Sequence, residues 1–451
     1  MAITLNPIDY SLIVIYILVV LYLGWRAGRK ETREGYLLAD RNLNAMQSTA
    51  TICSSKIGAG LLLSYFGLVY VYGVAAWWLF VGFVIGYTLF YFFAKRLKRL
   101  ADEKRYYTLS DYFFDQYGQL AGYTTAVVVL LAYLLNFTIQ LIGGAKVIAT
   151  LTGMTYGLSL LIMSTVIITY IMIGGFKAVV KTDIMQYIAI IALTGILALF
   201  LFDNFTYIAA DWNPFGAPVG LLIVFLFSGI MAPFASAELW QRVYATKTAR
   251  QAKRSLIAAM SMYILYGILL AFVGMIIKTT VLTTDPDIVL VLGFQELLPP
   301  GVLGLGIIVL YAAVMSSADT LLFTSASITI QDIVGRFRRN RNVVFDLRIA
   351  SFTIGILGLL VAWALPHLLD VTYIYAAIYF ALSLVIMLSW FRRMKEIVFV
   401  GSICTGLLVV LIALPFVHNH SIILISWAGS LFGVVFFVII ARIFPQLRQM
   451  M

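Results

Sequence analysis

The stretch ICSSKIGAG, residues 52–60, sets two serines, a lysine and two glycines in the middle of an otherwise apolar run over residues 46–72. That run is long enough to cross a bilayer, whose core of about 30 Å takes about 20 helical residues. Counted from residue 46, Lys56 sits about 15 Å deep, close to the midplane. A lysine there costs about 3 kcal/mol unless it is paired. Small residues in mid-crossing can permit close helix packing. With a lysine four residues before Gly60, they predict instead a broken helix, because main-chain groups freed inside a membrane are tolerated only where they line a cavity or meet a ligand.

Outward from this run, apolar stretches follow one another to the C-terminus. They predict thirteen spans, near residues 8–25, 46–72, 74–94, 119–148, 156–173, 177–202, 218–239, 254–278, 302–330, 343–365, 371–391, 397–417 and 421–444. The composition agrees: 62% of 451 residues are apolar and 11% charged, against roughly 25% charged in a soluble domain. A soluble enzyme, a disordered chain and a secreted disulfide scaffold are excluded. Cys53 and Cys404 lie in separate apolar runs and indicate neither a disulfide framework nor a zinc site.

Basic residues alternate between connections. Arg26, Arg29, Lys30, Arg33 and Arg41 follow the first span, and Lys95, Arg96, Lys98, Arg99, Lys104 and Arg105 the third, whereas 149–155, 203–217, 279–301, 366–370 and 418–420 contain no Lys or Arg. Positive charge collects in cytoplasmic loops, so the N-terminus is expected outside and the C-terminus inside, in a multi-pass plasma-membrane protein. The net charge of +11 then reflects topology and not a nucleic-acid partner. The first span has no basic segment before it and reads as a retained anchor. Segment 95–118 reads as a short amphipathic interfacial stretch and 285–300 as an outer cap with short helices.

Ionisable residues at depth are few: Lys56, Asp183, Glu238 and Asp319, with Lys146 and Lys278 near enough to the outer surface to snorkel. Asp183 and Asp319 lie at depths similar to that of Lys56 and are its expected partners. In the ninth span Ser316, Thr320, Thr324 and Ser327 follow helical spacing beside Ser317 and Asp319. Such a face can supply oxygen ligands to a hard monovalent cation, or its hydroxyls can simply bond their own helix. His367, His418 and His420 lack carboxylate or cysteine partners in sequence, and no enzyme constellation is present.

Four motifs resemble the solute:sodium symporter family: GGFKAVVKTDIMQ (174–186), AAVMSSADTLL (312–322), WQRVYATKTARQAKR (240–254) and GLVYVYG (67–73). The resemblance covers nearly the whole chain. It implies an all-α membrane fold of the leucine-transporter type, with two inverted repeats of five helices, discontinuous helices, one extra N-terminal helix and two extra C-terminal ones. The implied divisions are 1–45, a first repeat at 46–202, an outer loop at 203–217, a second repeat at 218–391 and an accessory part at 392–451. It further implies a secondary transporter, not an enzyme, that moves a small organic solute by alternating access with Na+ as coupling ion and no other cofactor. Carried onto this sequence, the sodium ligands are the carbonyls of Ser54, Ile57 and Ala313 and the hydroxyls of Ser316 and Ser317. Asp183 matches the signature aspartate that supports this site or joins a second sodium site.

The sequence departs from the family at Lys56, where relatives carry a small polar or acidic residue. Either Lys56 pairs with a carboxylate, points toward the cargo and leaves sodium to bind, or its ammonium stands in for sodium and the carrier is proton-coupled or uncoupled. Gly60 and Leu61 occupy positions that bind sugar in sugar-transporting relatives, which argues against a sugar. Lys56, Gly58, Gly60, Ser236, Glu238, Asp319, Tyr375 and Tyr379 are the candidates for substrate binding or coupling. The tyrosines could equally pack or anchor, and Glu238 could reach the inner interface beside Arg242. A membrane-embedded sensor and a pore are the rival classes. Oligomeric state is not legible.

Overall fold

The computed structural model describes residues 6–27, 33–173, 176–283, 285–299, 301–337 and 342–443. Gly174 and Gly175 of the signature motif, and the loop cations Arg29, Lys30, Arg338, Arg339, Arg341 and Arg448, lie outside the described residues. After α1 (Pro7–Ala27) and α2 (Arg33–Leu38) come α3 (Ala45–Lys56) and α4 (Ala59–Tyr72), which divide the expected second crossing between them. Next are α5 (Trp78–Lys104), α6 (Leu109–Gln116), α7 (Gln119–Thr152), α8 (Tyr156–Ile173) and α9 (Phe176–Leu201). The chain continues through α10 (Val219–Met231), α11 (Ala237–Ala245), α12 (Ala249–Thr280), α13 (Val289–Leu297) and α14 (Leu303–Ile328). It closes with α15 (Gly335–Phe337), α16 (Val343–Ala364), α17 (Leu368–Phe391), α18 (Glu396–Ala413) and α19 (Ser421–Ile443).

A helix or helix pair stands at each of the thirteen expected spans. Among the described residues nine helical stretches are long and apolar enough to cross a membrane, the continuous run from α4 into α5 counting as one, and shorter apolar stretches begin at Pro7, Tyr156 and Val219. The expected interfacial segment contains α6, closed at its start by a capping box between Thr108 and Asp111. The expected cap contains α13. Lys146 and Lys278 do more than snorkel: Lys146 Nζ lies 2.5 Å from Asp287 and Lys278 Nζ 2.7 Å from Asp211, so both pair with carboxylates of connections distant in sequence.

The first break falls inside ICSSKIGAG. Asn44 and Gln47 cap the start of α3 reciprocally, and Ile57, at φ −90° and ψ 61°, leaves the helix after Lys56. Gly58, extended and just before α4, offers no side-chain cap. Gln140 of α7 replaces that cap, its Oε1 accepting from Ala59 N at 2.6 Å. A Cβ at Gly58 would stand 2.3 Å from Ser317 Oγ and 2.5 Å from Gln140 Oε1, so glycine is what lets α14 and α7 close on the break.

The expected seventh span, 218–239, is not one helix. It breaks at 232–236, APFAS, where Pro233 has no N–H to give and its ring opposes a continuing helix. The carbonyls freed at the end of α10 are taken by α17: Ser383 Oγ donates to Met231 O and Tyr379 OH to Ala232 O. On the other side of the break, Ser236 precedes α11 and Glu238 sits in its first turn.

α14 is the centre of the bundle: Ala312 to Ile328 are all buried. Asp9 of α1 accepts from the N–H groups of Gly301 and Gly304 at 3.1 and 2.7 Å, supplying the acceptor that the start of α14 otherwise lacks. α10 presses on α5 through glycines, as small residues allow in membrane helices. A Cβ at Gly82 would lie 2.1 Å from Leu226 O, and one at Gly229 would lie 2.3 Å from Leu79 O. These obstacles are main chain and cannot rotate away. Gly229→Ala is therefore expected to lower the thermal stability of the purified protein by about 1–3 kcal/mol, whereas alanine at the open Gly195 leaves it unchanged.

Candidate ion and substrate site

Two polar centres lie around the first break, and Ser317 of α14 belongs to both. At the first, Ser316 Oγ donates to Ser54 O at 2.9 Å and lies 3.1 Å from Ala313 O, while Ser317 Oγ donates to Ser55 O at 3.0 Å. Four of the five expected sodium ligands, Ser54, Ala313, Ser316 and Ser317, thus meet where α3 ends, and Ile57 is the adjoining turn residue. Each hydroxyl can turn its proton away and present oxygen to a cation.

Behind this cluster the side chains of Asp183 and Arg242 are both fully buried, with Nη2 and Oδ2 3.2 Å apart. Arg242 also donates to Thr51 Oγ1 at 2.9 Å, Thr320 Oγ1 at 2.8 Å and Glu238 O at 3.1 Å, and Thr51 Oγ1 donates to Asp183. One guanidinium thereby ties α3, α9, α11 and α14 together, using the several donors of its fork. Asp319 is fully buried in the field of Asp183 and Arg242.

The second centre is a cavity of about 170 Å³. Ser55, Lys56, Gly58, Gly60, Asn136, Gln140, Glu238 and Ser317 give it polar walls, and Leu61, Leu79, Phe83, Ile139, Tyr375, Tyr379 and Phe380 make the rest mostly apolar. Here the sequence-based pairing needs correction. Lys56 is joined to neither Asp183 nor Asp319; its Nζ meets Glu238 Oε1. The reason is geometric: Asp183 is already held by Arg242, and Glu238 at the start of α11 faces the end of α3 across the two breaks. Glu238 is only 5% exposed and does not reach the inner interface. Ser236 Oγ donates to Glu238 Oε1 at 2.6 Å and Tyr133 OH to Oε2, so the carboxylate is fixed from behind.

The remaining candidates divide accordingly. Gly58, Gly60, Tyr375 and Tyr379 line the cavity, whereas Ser236 is fully buried and touches it only through Glu238. Tyr379 also caps α10, so one residue both packs and lines. On α14, Ser316 and Thr320 meet other helices, Thr324 Oγ1 donates to Gln241 Oε1 at 3.3 Å, and Ser327 bonds its own helix at Phe323 O. Ser327 thus bonds its own helix, while Ser316, Thr320 and Thr324 reach across to others. Sequence reasoning missed Tyr133, Asn136 and Gln140. Their spacing of three and four places them on one face of α7, a polar stripe in an apolar span that could have been found.

The model of the sodium:solute symporter family matches residues 36–213 and 215–404, which include both breaks, the serine cluster and the cavity. The chain belongs to the sodium:solute symporter family. This transporter is 25% identical over 431 residues to the osmoregulated proline transporter of Bacillus subtilis, covering 88% of this chain and 87% of that one. It is 23% identical over 387 residues to the sodium/proline symporter 2 of Staphylococcus saprophyticus, covering 79% and 75%. Among solved structures, a Na+-coupled sialic acid symporter in its substrate-bound outward-open state superposes with a TM-score of 0.79 at 15% identity, covering 95% of this chain and 96% of that one. Mhp1, a nucleobase-cation-symport-1 family transporter, superposes at 0.59. The fold is the all-α inverted-repeat fold with discontinuous helices, and the protein is a multi-pass membrane transporter of small solutes.

Proposed function

We propose that this transporter couples sodium entry to uptake of a small polar solute held in the cavity beside Lys56 and Glu238. The observation that carries this reading is the Lys56–Glu238 contact. An unpaired ammonium next to the oxygen cluster at Ser54, Ala313 and Ser316 would repel a cation by several kcal/mol, and Glu238 cancels that charge. Proline, named for the bacterial relatives, is the first solute to try.

The repeats run over 46–202 and 218–391, with 1–45 and 392–451 outside them. In each, the first helix is the broken one, α3 with α4 and α10 with α11. By the charge pattern of its loops the chain enters from outside, so the cavity faces outward, toward Leu79 and Thr372 near the outer ends of α5 and α17. The inner side is closed by Arg242 and Asp183, and by a main-chain bridge in which Leu43 N donates to Ala245 O at 3.0 Å and Lys247 N to Leu43 O at 2.9 Å. That bridge fastens the inner halves of both broken helices, so they move as one body when the inner side opens.

Uptake of labelled proline into proteoliposomes tests the coupling. An inward sodium gradient is expected to drive accumulation, an equal potassium gradient to give at most about a tenth of that rate, and Ser316→Ala to abolish the difference. Equal uptake in both salts would instead assign the cation role to Lys56.

A further inference from the structure

The cavity wall carries one positive and one negative group in contact, with no net charge between them. Glu238 is held by Tyr133 and Ser236 and keeps its place. Lys56, one-fifth exposed, ends α3 on a flexible stem and can swing. Directly beyond it begins α4, whose first-turn N–H groups have no partner within the helix. Gln140 takes the one at Ala59, and the next residue, Gly60, faces the cavity with its nearest obstacle to a Cβ 3.8 Å away. Across the cavity, Ser228 Oγ is more than nine-tenths buried and has no hydrogen-bond partner among the described residues. A buried hydroxyl left unbonded is costly and points to a ligand that completes it.

We infer that the Lys56–Glu238 pair is the specificity element of the site and selects zwitterions. A solute with a carboxylate and an ammonium on a small body inserts between the two side chains. Its carboxylate meets Lys56 and the first turn of α4, its ammonium meets Glu238, and one ion pair becomes two. A cation alone would displace Lys56 and leave that ammonium buried without a partner. An anion alone would do the same to Glu238. Either loss is large in a site this enclosed, so discrimination comes from the unsatisfied wall charge more than from the solute's shape. The apolar walls at Leu61, Leu79, Phe83 and Ile139 accept a short hydrocarbon ring or chain between the charges.

This inference rests on the cavity being the solute site, and the test separates the two. Purified protein in sodium buffer is titrated with L-proline, glycine and glycine betaine as zwitterions, pyrrolidine as the cation and cyclopentanecarboxylate as the anion, with thermal stabilisation as the readout. At least one zwitterion is expected to bind at least about tenfold more tightly than either monofunctional ion. Lys56→Met should bring pyrrolidine, and Glu238→Gln cyclopentanecarboxylate, to within about tenfold of the zwitterion. A monofunctional ion within about tenfold of the best zwitterion on the wild-type protein overturns the inference and leaves the carrier reading standing. Stabilisation by no compound of the panel removes both. Should a variant fail to fold, the wild-type panel alone decides.

Discussion

Glu238→Ala is expected to weaken sodium binding by about a hundredfold and to stop sodium-driven uptake, although Glu238 is not itself a sodium ligand. Removing it leaves the Lys56 ammonium unpaired at the break. A unit charge about 6 Å from the ion, at an effective dielectric of about 20, repels it by about 3 kcal/mol. The decisive comparison is Glu238→Ala with Lys56→Met in the same chain. Removing both charges restores sodium affinity to within about threefold of the wild type if the effect is electrostatic. Uptake stays low in that double variant because the cavity has lost both charged walls. A sodium titration followed by tryptophan fluorescence reads the first effect, and uptake reads the second. Failure of the double variant to regain affinity would mean that Glu238 acts by holding Tyr133 and Ser236 in place.

Arg242→Met should be more damaging to the fold than any substitution at the cavity. Its side chain is fully buried and donates to groups on α3, α9 and α14 as well as to its own helix. Without it, Asp183 becomes a buried carboxylate that has lost its cation. Breaking a buried pair in this way costs about 3–5 kcal/mol, enough to remove most of the folded protein from a membrane preparation. Arg242→Lys recovers only part of this, since one ammonium cannot span Thr51, Asp183 and Thr320 together. Asp183→Asn is expected to be milder than Arg242→Met, because Arg242 keeps its bonds to Thr51, Thr320 and the Glu238 carbonyl and the amide oxygen can still accept from it. Melting temperature and yield of monodisperse protein measure all three.

The sequence made the first break legible because its physical signature is local. Two glycines and a lysine within nine residues of a crossing are hard to fit into an unbroken membrane helix, and the helix ends at Ile57 and Gly58. The second break lacked so loud a signal. Pro233 lies among apolar residues, and 218–239 read as a single span by hydropathy alone. Pairing was harder still. Asp183, Asp319 and Glu238 all lie at plausible depths, and depth along a helix does not say which way a side chain faces. Arg242 illustrates the limit best. Its neighbours in sequence are those of a cytoplasmic connection, yet α11 turns it inward against Asp183. The residues of the oxygen cluster meet as expected because they arrive as a motif on α14 and a break on α3, each readable alone, and the fold has only to bring them together.

Direct binding of labelled sodium to the purified protein in potassium buffer, wild type beside Ser316→Ala, bears most closely on the idea that Glu238 neutralises Lys56 and so keeps the oxygen cluster open to a cation. Saturable binding to the wild type and its loss in the variant are the predicted result. A wild-type protein that binds no sodium, or a Ser316→Ala protein that binds it equally well, would contradict the account.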